Sequence, residues 1–105
     1  IEAIFSGKDA LAAHGTNYIT FSITNLGQAG AGSAAMLAAT DANTTKTTTG
    51  SAIAANTARS LTLSTTPANL VVAKGDRLLV RSTAAATSAN TITFSKVLLI
   101  FDEKL

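Results

Sequence analysis

Few residues in this sequence could do chemistry, and those few are widely spaced. His14 is the only histidine, and no Gly-x-Ser-x-Gly elbow or other recognised nucleophile motif accompanies it. Among the acids only Asp102 and Glu103 are adjacent, and neighbouring residues of a strand point to opposite faces. The chain has no cysteine. We therefore expect no enzyme activity, no metal site and no cofactor, and we expect His14 to lie in a loop or an interface.

One charged tripeptide, Lys74-Gly75-Asp76, stands between two apolar runs. It could be an adhesive motif, part of a charged site or a turn. Gly75 supplies backbone freedom, and Asp76 can accept hydrogen bonds from nearby main-chain N–H groups. The tripeptide therefore predicts a turn.

Composition narrows the possible partners. Only 13% of the residues are charged, and the net charge of +2 is spread along the chain without aromatic residues between the cations. This pattern argues against nucleic-acid binding. No run approaches the roughly 18 apolar residues of a membrane span, and the first ten residues lack the pattern of a signal peptide. The chain is expected to be soluble.

Short alternating runs of Thr, Ile, Val, Leu and Phe, separated by Gly, Asn and Asp, are typical of antiparallel strands. The strands predicted from the clearest runs are 17–24, 59–65, 77–82 and 91–101. The side chains predicted to face the core are Ile19, Phe21, Ile23, Leu61, Leu63, Leu78, Val80, Ile92 and Phe94. These side chains are assigned to the core because apolar residues recur at every second position in each run.

The remaining segments complete an all-β domain. Residues 34–40 are predicted as a strand, 41–51 as a long polar loop or weak edge hairpin, and helix only as a turn at 8–13. About seven or eight strands at this spacing predict one antiparallel β-sandwich or jelly-roll-like domain over residues 1–105. Because 21 of the 105 residues are alanine, the core is thin, and we expect stability to come partly from an oligomer.

The C-terminal strand is apolar at every position from 97 to 101. Either a bulge near Ser95 and Lys96 changes the phase of the strand, or one row packs on the core while the other meets a partner. The predicted protein interface comprises Val97, Leu98, Leu99, Ile100, Phe101 and Leu79. The apolar run 1–5 has a similar character, so the two termini are expected to lie side by side in one sheet.

Together the stretches HGTNYITFSITN, SLTLST and VVAKGDRLLVRST and the terminal apolar strand resemble the small β-sandwich or jelly-roll proteins of tailed bacteriophages. The sequence pattern is especially similar to that of head decoration (cement) proteins and of the knobs of phage appendages. VVAKGDRLLV also looks like the strand-turn-strand of complement globular-head and tumour-necrosis-factor-like trimeric jelly rolls. Neither family implies catalytic residues.

The resemblance implies a mechanical function: a decoration protein on the outer surface of the virion head that binds the major capsid protein and stabilises the shell. It implies self-association as a dimer or trimer. The alternative is a receptor- or carbohydrate-binding module of a tail fibre or tailspike, for which Tyr18 is the sole good stacking candidate among five aromatic residues. A secreted adhesive subunit would need an export route that the sequence does not show.

Overall fold

The computed structural model describes residues 1–88, 90, 92 and 95–102, which form six strands, two short 3-10 turns and no α-helix. The strands are β1 (Glu2–Ser6), β2 (Ile19–Asn25), β3 (Ala34–Ala35), β4 (Arg59–Leu61), β5 (Leu78–Ala84) and β6 (Lys96–Ile100). The turns are Asp41–Asn43 and Pro67–Leu70. The all-β prediction is confirmed, with six strands rather than seven or eight. Within the described chain no helix is long and apolar enough to cross a membrane.

The strands form two antiparallel sheets of three. Sheet 1 has the order β4-β1-β6, and sheet 2 has the order β3-β2-β5. In sheet 1, Phe5 lies opposite Val97 and Ile4 opposite Leu98, so the two ends of the chain pair as predicted. In sheet 2, Ile23 lies opposite Val80. Among the described strands, β5 and β6 therefore lie at the edges of their sheets.

The core lies between the sheets, and β2 shows why. Its sequence ITFSITN alternates strictly, and Ile19, Phe21 and Ile23 are all buried while the residues between them are half-buried. The ring of Phe21 packs against that of Phe5 from sheet 1, with 4.7 Å between centroids. The buried apolar side chains are Ala3, Phe5, Leu11, Ile19, Phe21, Ile23, Met36, Leu37, Ile53 and Leu61.

One edge of the sandwich is closed by main-chain hydrogen bonds. Met36 donates its N–H to the carbonyl of Ile23 in sheet 2 and accepts one from Ser64, which follows β4. Ala38 then donates to the carbonyl of Thr62. At the other edge β5 and β6 do not pair, and a cleft of about 130 Å³ between them reaches the core rings. Among the described residues, main-chain hydrogen bonds thus join the two sheets along one edge.

The core prediction needs one correction. Val80 was predicted to be buried, and it does share a face with Ile23, but 47% of it is exposed because β5 lies at the open edge. Leu63, Leu78 and Ile92 are only half-buried against the core. The position predicted for Phe94 lies outside the described residues, as do Thr91 and Thr93 of the predicted strand 91–101.

One local prediction was wrong. No helical turn forms at 8–13, because Leu11 pairs with Ile53 through two main-chain hydrogen bonds of 2.8 and 2.9 Å. The polar tract 41–51 is a long irregular segment, in agreement with the predicted loop, and Asn43, Thr44 and Thr45 are buried within it. Two other predicted strands are shorter than expected: 34–40 is regular only at β3, and 59–65 only at β4, with an isolated bridge between Leu37 and Leu63.

Candidate protein interface

The outer face of β1 and β6 carries a line of aliphatic side chains that the domain leaves uncovered. Leu98 is 54% exposed and Ile100 is 42% exposed. Ile4 lies directly opposite Leu98 on β1 and is half-buried. We call Ile4, Leu98 and Ile100 the outer row. A contiguous apolar row on an edge strand favours association with another protein surface.

Charged residues stand at the two ends of the outer row. Glu2 lies opposite Ile100 on the same face, and Lys96 precedes the row at the start of β6. Ile100 lies four positions after Lys96, which corresponds to about 13 Å along a strand. The face therefore has an apolar centre, one acidic end and one basic end, as the core and rim of a protein interface often do.

The structure divides the six residues predicted for the interface. Val97 and Leu99 are half-buried and pack against the core, so they belong to the inner row of β6. Phe101 lies just after β6 and is 41% exposed. Leu79 is on the outer face of sheet 2, opposite Thr24, and is not part of the same surface. β6 alternates regularly from Lys96 to Ile100, so within this strand one row of side chains faces the core and the other row faces outward.

Tyr18 lies beside a groove on the outer face of sheet 2. The groove has a volume of about 350 Å³ and is lined by the outward side chains of β2 and by residues 37–41. The Nζ of Lys46 stands 5.6 Å from the centroid of the Tyr18 ring and 3.3 Å from a carboxylate oxygen of Asp41. The candidate stacking residue is therefore partly covered by a cation of its own chain.

His14 has a structural use in the loop before β2. Its Nδ1 accepts hydrogen bonds from the main-chain N–H groups of Thr16 at 3.1 Å and Asn17 at 2.9 Å. An accepting Nδ1 carries no proton, so the neutral ring holds its proton on Nε2. The side chain is exposed, as expected for a loop histidine.

The tripeptide Lys74-Gly75-Asp76 is a turn, as predicted. The N–H of Asp76 donates to the carbonyl of Ala73 at 3.0 Å, and Gly75 has φ of +89°. The Asp76 carboxylate accepts hydrogen bonds from the amide of Asn25 at 2.9 Å and the N–H of Ala73 at 2.8 Å. These two bonds, the one from Asn25 first, hold the pKa of Asp76 below its ordinary value.

The other acids do not gather into a site. The pKa of Asp41 is lowered, first by a hydrogen bond from the Thr49 hydroxyl and then by one from Lys46. Asp102 forms an exposed ion pair with the N-terminal amine at 3.1 Å, and Glu103 lies outside the described residues. Across residues 1–88, 90, 92 and 95–102 no three His, Asp or Glu side chains come together in a way that could hold a metal ion.

Two polar residues that organise the closed edge were missed in the sequence. Asn43 begins the sequence Asn-Thr-Thr, which is formally a glycosylation sequon, but the asparagine is 1% exposed and is therefore buried in the folded chain. Arg59 donates to the carbonyls of Ala42, Thr44 and Ser51, and burial lowers the pKa of its guanidinium. Neither role has a sequence signal, because both depend on carbonyl groups brought together by the fold.

In comparisons with known proteins, no family model matches the chain, and no curated protein or solved structure matches it either.

Proposed function

We propose that the chain is a structural subunit that works by self-association through the outer row and by attachment of the resulting dimer to a larger protein shell. The observation that carries this proposal is the exposure of Leu98 and Ile100 beside Ile4. An exposed row of this kind on an edge strand is an aggregation hazard unless a partner covers it.

The charges at the ends of the row favour a second copy as the partner. When two outer faces stack with their β6 strands antiparallel about a two-fold axis, Leu98 meets its counterpart at the centre. Lys96 of one copy then approaches Glu2 of the other at both ends. Parallel stacking would place like charges together, so the antiparallel dimer is the complementary arrangement.

The shell in this proposal is the head of a tailed bacteriophage. The chain would sit on its outer surface, bind the major capsid protein and stabilise the shell, as the resemblance to head decoration proteins suggests. A two-fold dimer carries two identical capsid-binding surfaces, so it can bridge neighbouring capsid subunits and gain affinity from bivalency. The proposal assigns the chain no reaction, cofactor or nucleic-acid ligand.

The test is cosedimentation of the purified chain with expanded heads that lack decoration protein. The proposal predicts saturable binding at a constant ratio to the major capsid protein, with hundreds of copies per head. Leu98→Asp should bind more weakly, because loss of the dimer removes the bivalent contribution. A chain found in a few copies at the tail tip, with no binding to heads, would overturn the shell assignment.

A further inference from the structure

The outer face of sheet 1 ends in a concavity just beyond the outer row. Its volume is about 530 Å³, and the residues that line it are Ser6, Gly7, Lys8, Asn56, Ala58 and Lys96. We call this concavity the basic socket. Ser6 lies directly opposite Lys96 in the β1–β6 ladder, as Ile4 lies opposite Leu98. Because alternate residues of a strand share a face, the socket is continuous with the outer row.

A loop held against the end of β1 forms one wall of the socket. The N–H of Asn56 donates to the carbonyl of Gly7 at 2.7 Å, and Asn56 has φ of +55°. Asparagine adopts this left-handed conformation more readily than most residues. The loop then enters β4 at Arg59, which lies opposite Phe5. The main chain therefore fixes the position of this wall beside β1.

The side chains of the socket are rich in hydrogen-bond donors. Lys8 and Lys96 carry ammonium groups, Ser6 carries a hydroxyl and Asn56 carries an amide. Of the described residues that line the socket, none is acidic. Charged donors of this kind form their strongest hydrogen bonds with carboxylates and phosphates. The chemistry of the socket therefore favours an oxyanion.

The symmetry of the proposed dimer brings one particular carboxylate to this socket. Ser6 and Lys96 lie two residues before the Ile4–Leu98 pair along β6, and Glu2 and Ile100 lie two residues after it. A two-fold axis through Leu98 exchanges these two positions between the copies. Glu2 of the second copy then stands over Ser6, at the mouth of the socket and beside Lys96.

We propose that the basic socket is an oxyanion site. In the dimer it holds the carboxylate of Glu2 from the second copy, and in the free chain it binds phosphate, which competes with Glu2 and weakens the dimer. A ligand that binds only the free chain shifts the equilibrium towards monomer by mass action. The role of Glu2 rests on the outer-row dimer of the proposed function, whereas phosphate binding by the free chain does not.

The first experiment measures phosphate binding without the dimer. The ¹⁵N-labelled Leu98→Thr chain, which weakens the outer row without adding a charge, is titrated with sodium phosphate at an ionic strength held constant with sodium chloride. The proposal predicts saturable shifts at the amides of Gly7, Asn56 and Lys96. The dissociation constant should be about 1 mM or weaker, because Lys96 and Asn56 are exposed. A lack of saturable shifts at these amides would overturn the oxyanion site.

A matched pair of variants in the same Leu98→Thr chain separates the site from the net charge. Lys96→Gln removes a cation of the socket and should weaken phosphate binding roughly two- to fivefold. Lys74→Gln makes the same change in charge at an exposed lysine outside the socket, and should leave binding unchanged. Equal weakening in the two variants would contradict the site.

The second experiment tests the pairing of Glu2 with the socket by sedimentation velocity. Glu2→Lys and Lys96→Glu each place like charges at both ends of a homodimer, so each should raise its dissociation constant about tenfold or more. An equimolar mixture of the two variants places opposite charges at both ends, and its heterodimer should regain the affinity of the parent. A mixture that associates as weakly as either variant alone would overturn the role of Glu2.

Phosphate links the two experiments. At equal ionic strength, phosphate should raise the dissociation constant of the parent dimer at least about twofold relative to sodium chloride. Equal dimerisation in the two salts would overturn the competition between phosphate and Glu2. A parent chain that stays monomeric would instead overturn the dimer of the proposed function, and the titration of the free chain would still decide the oxyanion site.

Discussion

The side-chain amide of Asn43 is expected to hold the closed edge of the sandwich together. Its Nδ2 donates to the carbonyls of Ala38 and Thr62, both at 2.8 Å, and its Oδ1 accepts from the N–H of Thr62 at 2.7 Å. In Asn43→Ala the carbonyl of Thr62 keeps its bond from Ala38, but the N–H of Thr62 and the carbonyl of Ala38 lose their partners. Each of the three lost hydrogen bonds contributes about 0.5–1.5 kcal/mol, so the variant should lose roughly 1.5–4.5 kcal/mol of unfolding free energy.

Urea unfolding followed by far-UV circular dichroism measures this loss. For a slope of about 1.5 kcal/mol per molar urea, the midpoint should fall by roughly 1–3 M without a change in slope. Asn69→Ala is the matched control, because Asn69 is half-buried and its side chain forms no hydrogen bond with the described residues. That variant should stay within about 0.5 kcal/mol of the parent. If the two variants lose the same small amount, the assigned role of Asn43 is wrong.

Three further predictions concern the core, the turn and the acid stability. Phe21→Ala should cost about 3–5 kcal/mol in urea unfolding, because the ring is buried against Phe5; a loss below about 1 kcal/mol would show that the ring is not part of a packed core. Gly75→Val should cost about 1–3 kcal/mol of unfolding free energy, because Gly75 has φ of +89°. Lys74→Ala should change the urea midpoint little. A larger loss in Lys74→Ala than in Gly75→Val would contradict the turn. The folded-state pKa of Asp76 is lowered, so its stabilisation is present above the unfolded value of 3.8 and is lost as pH falls through the lower folded value. Acid titration of Asp76→Asn should therefore show a smaller loss of stability below that pH than the parent, and an unchanged profile would refute this role.

The strands of this fold could be predicted from sequence where one face alone meets the core. The β2 run alternates without interruption, so its three inward residues Ile19, Phe21 and Ile23 were identified correctly. The same pattern in β5 gave the right face for Val80 but the wrong burial. Alternation reports which way a side chain points, whereas burial depends on what lies opposite, and few of the described residues cover Val80 at this edge.

The role of the polar tract could not be predicted, because its stability comes from contacts made at long range. Asn43 resembles any loop asparagine in sequence, yet its partners lie 5 and 19 residues away and are assembled only when the two sheets meet. The groove beside Tyr18 could not be predicted from the sequence for the same reason, since it depends on where the chain leaves and rejoins β2. In contrast, the uncovered face of β6 was foreseeable, because five consecutive apolar residues cannot all point to one side.

Sedimentation velocity tests the role of the outer row most directly. The parent chain should sediment as a dimer, and Leu98→Asp should sediment as a folded monomer with an unchanged circular-dichroism spectrum. Leu98→Thr, which suits a strand better, should also weaken the dimer. Val71→Asp is the matched control, because Val71 is 54% exposed like Leu98 but lies away from the outer row, and it should remain dimeric. A parent chain that stays monomeric at high concentration, or a Leu98→Asp variant as dimeric as Val71→Asp, would contradict the proposal that the outer row is the contact surface.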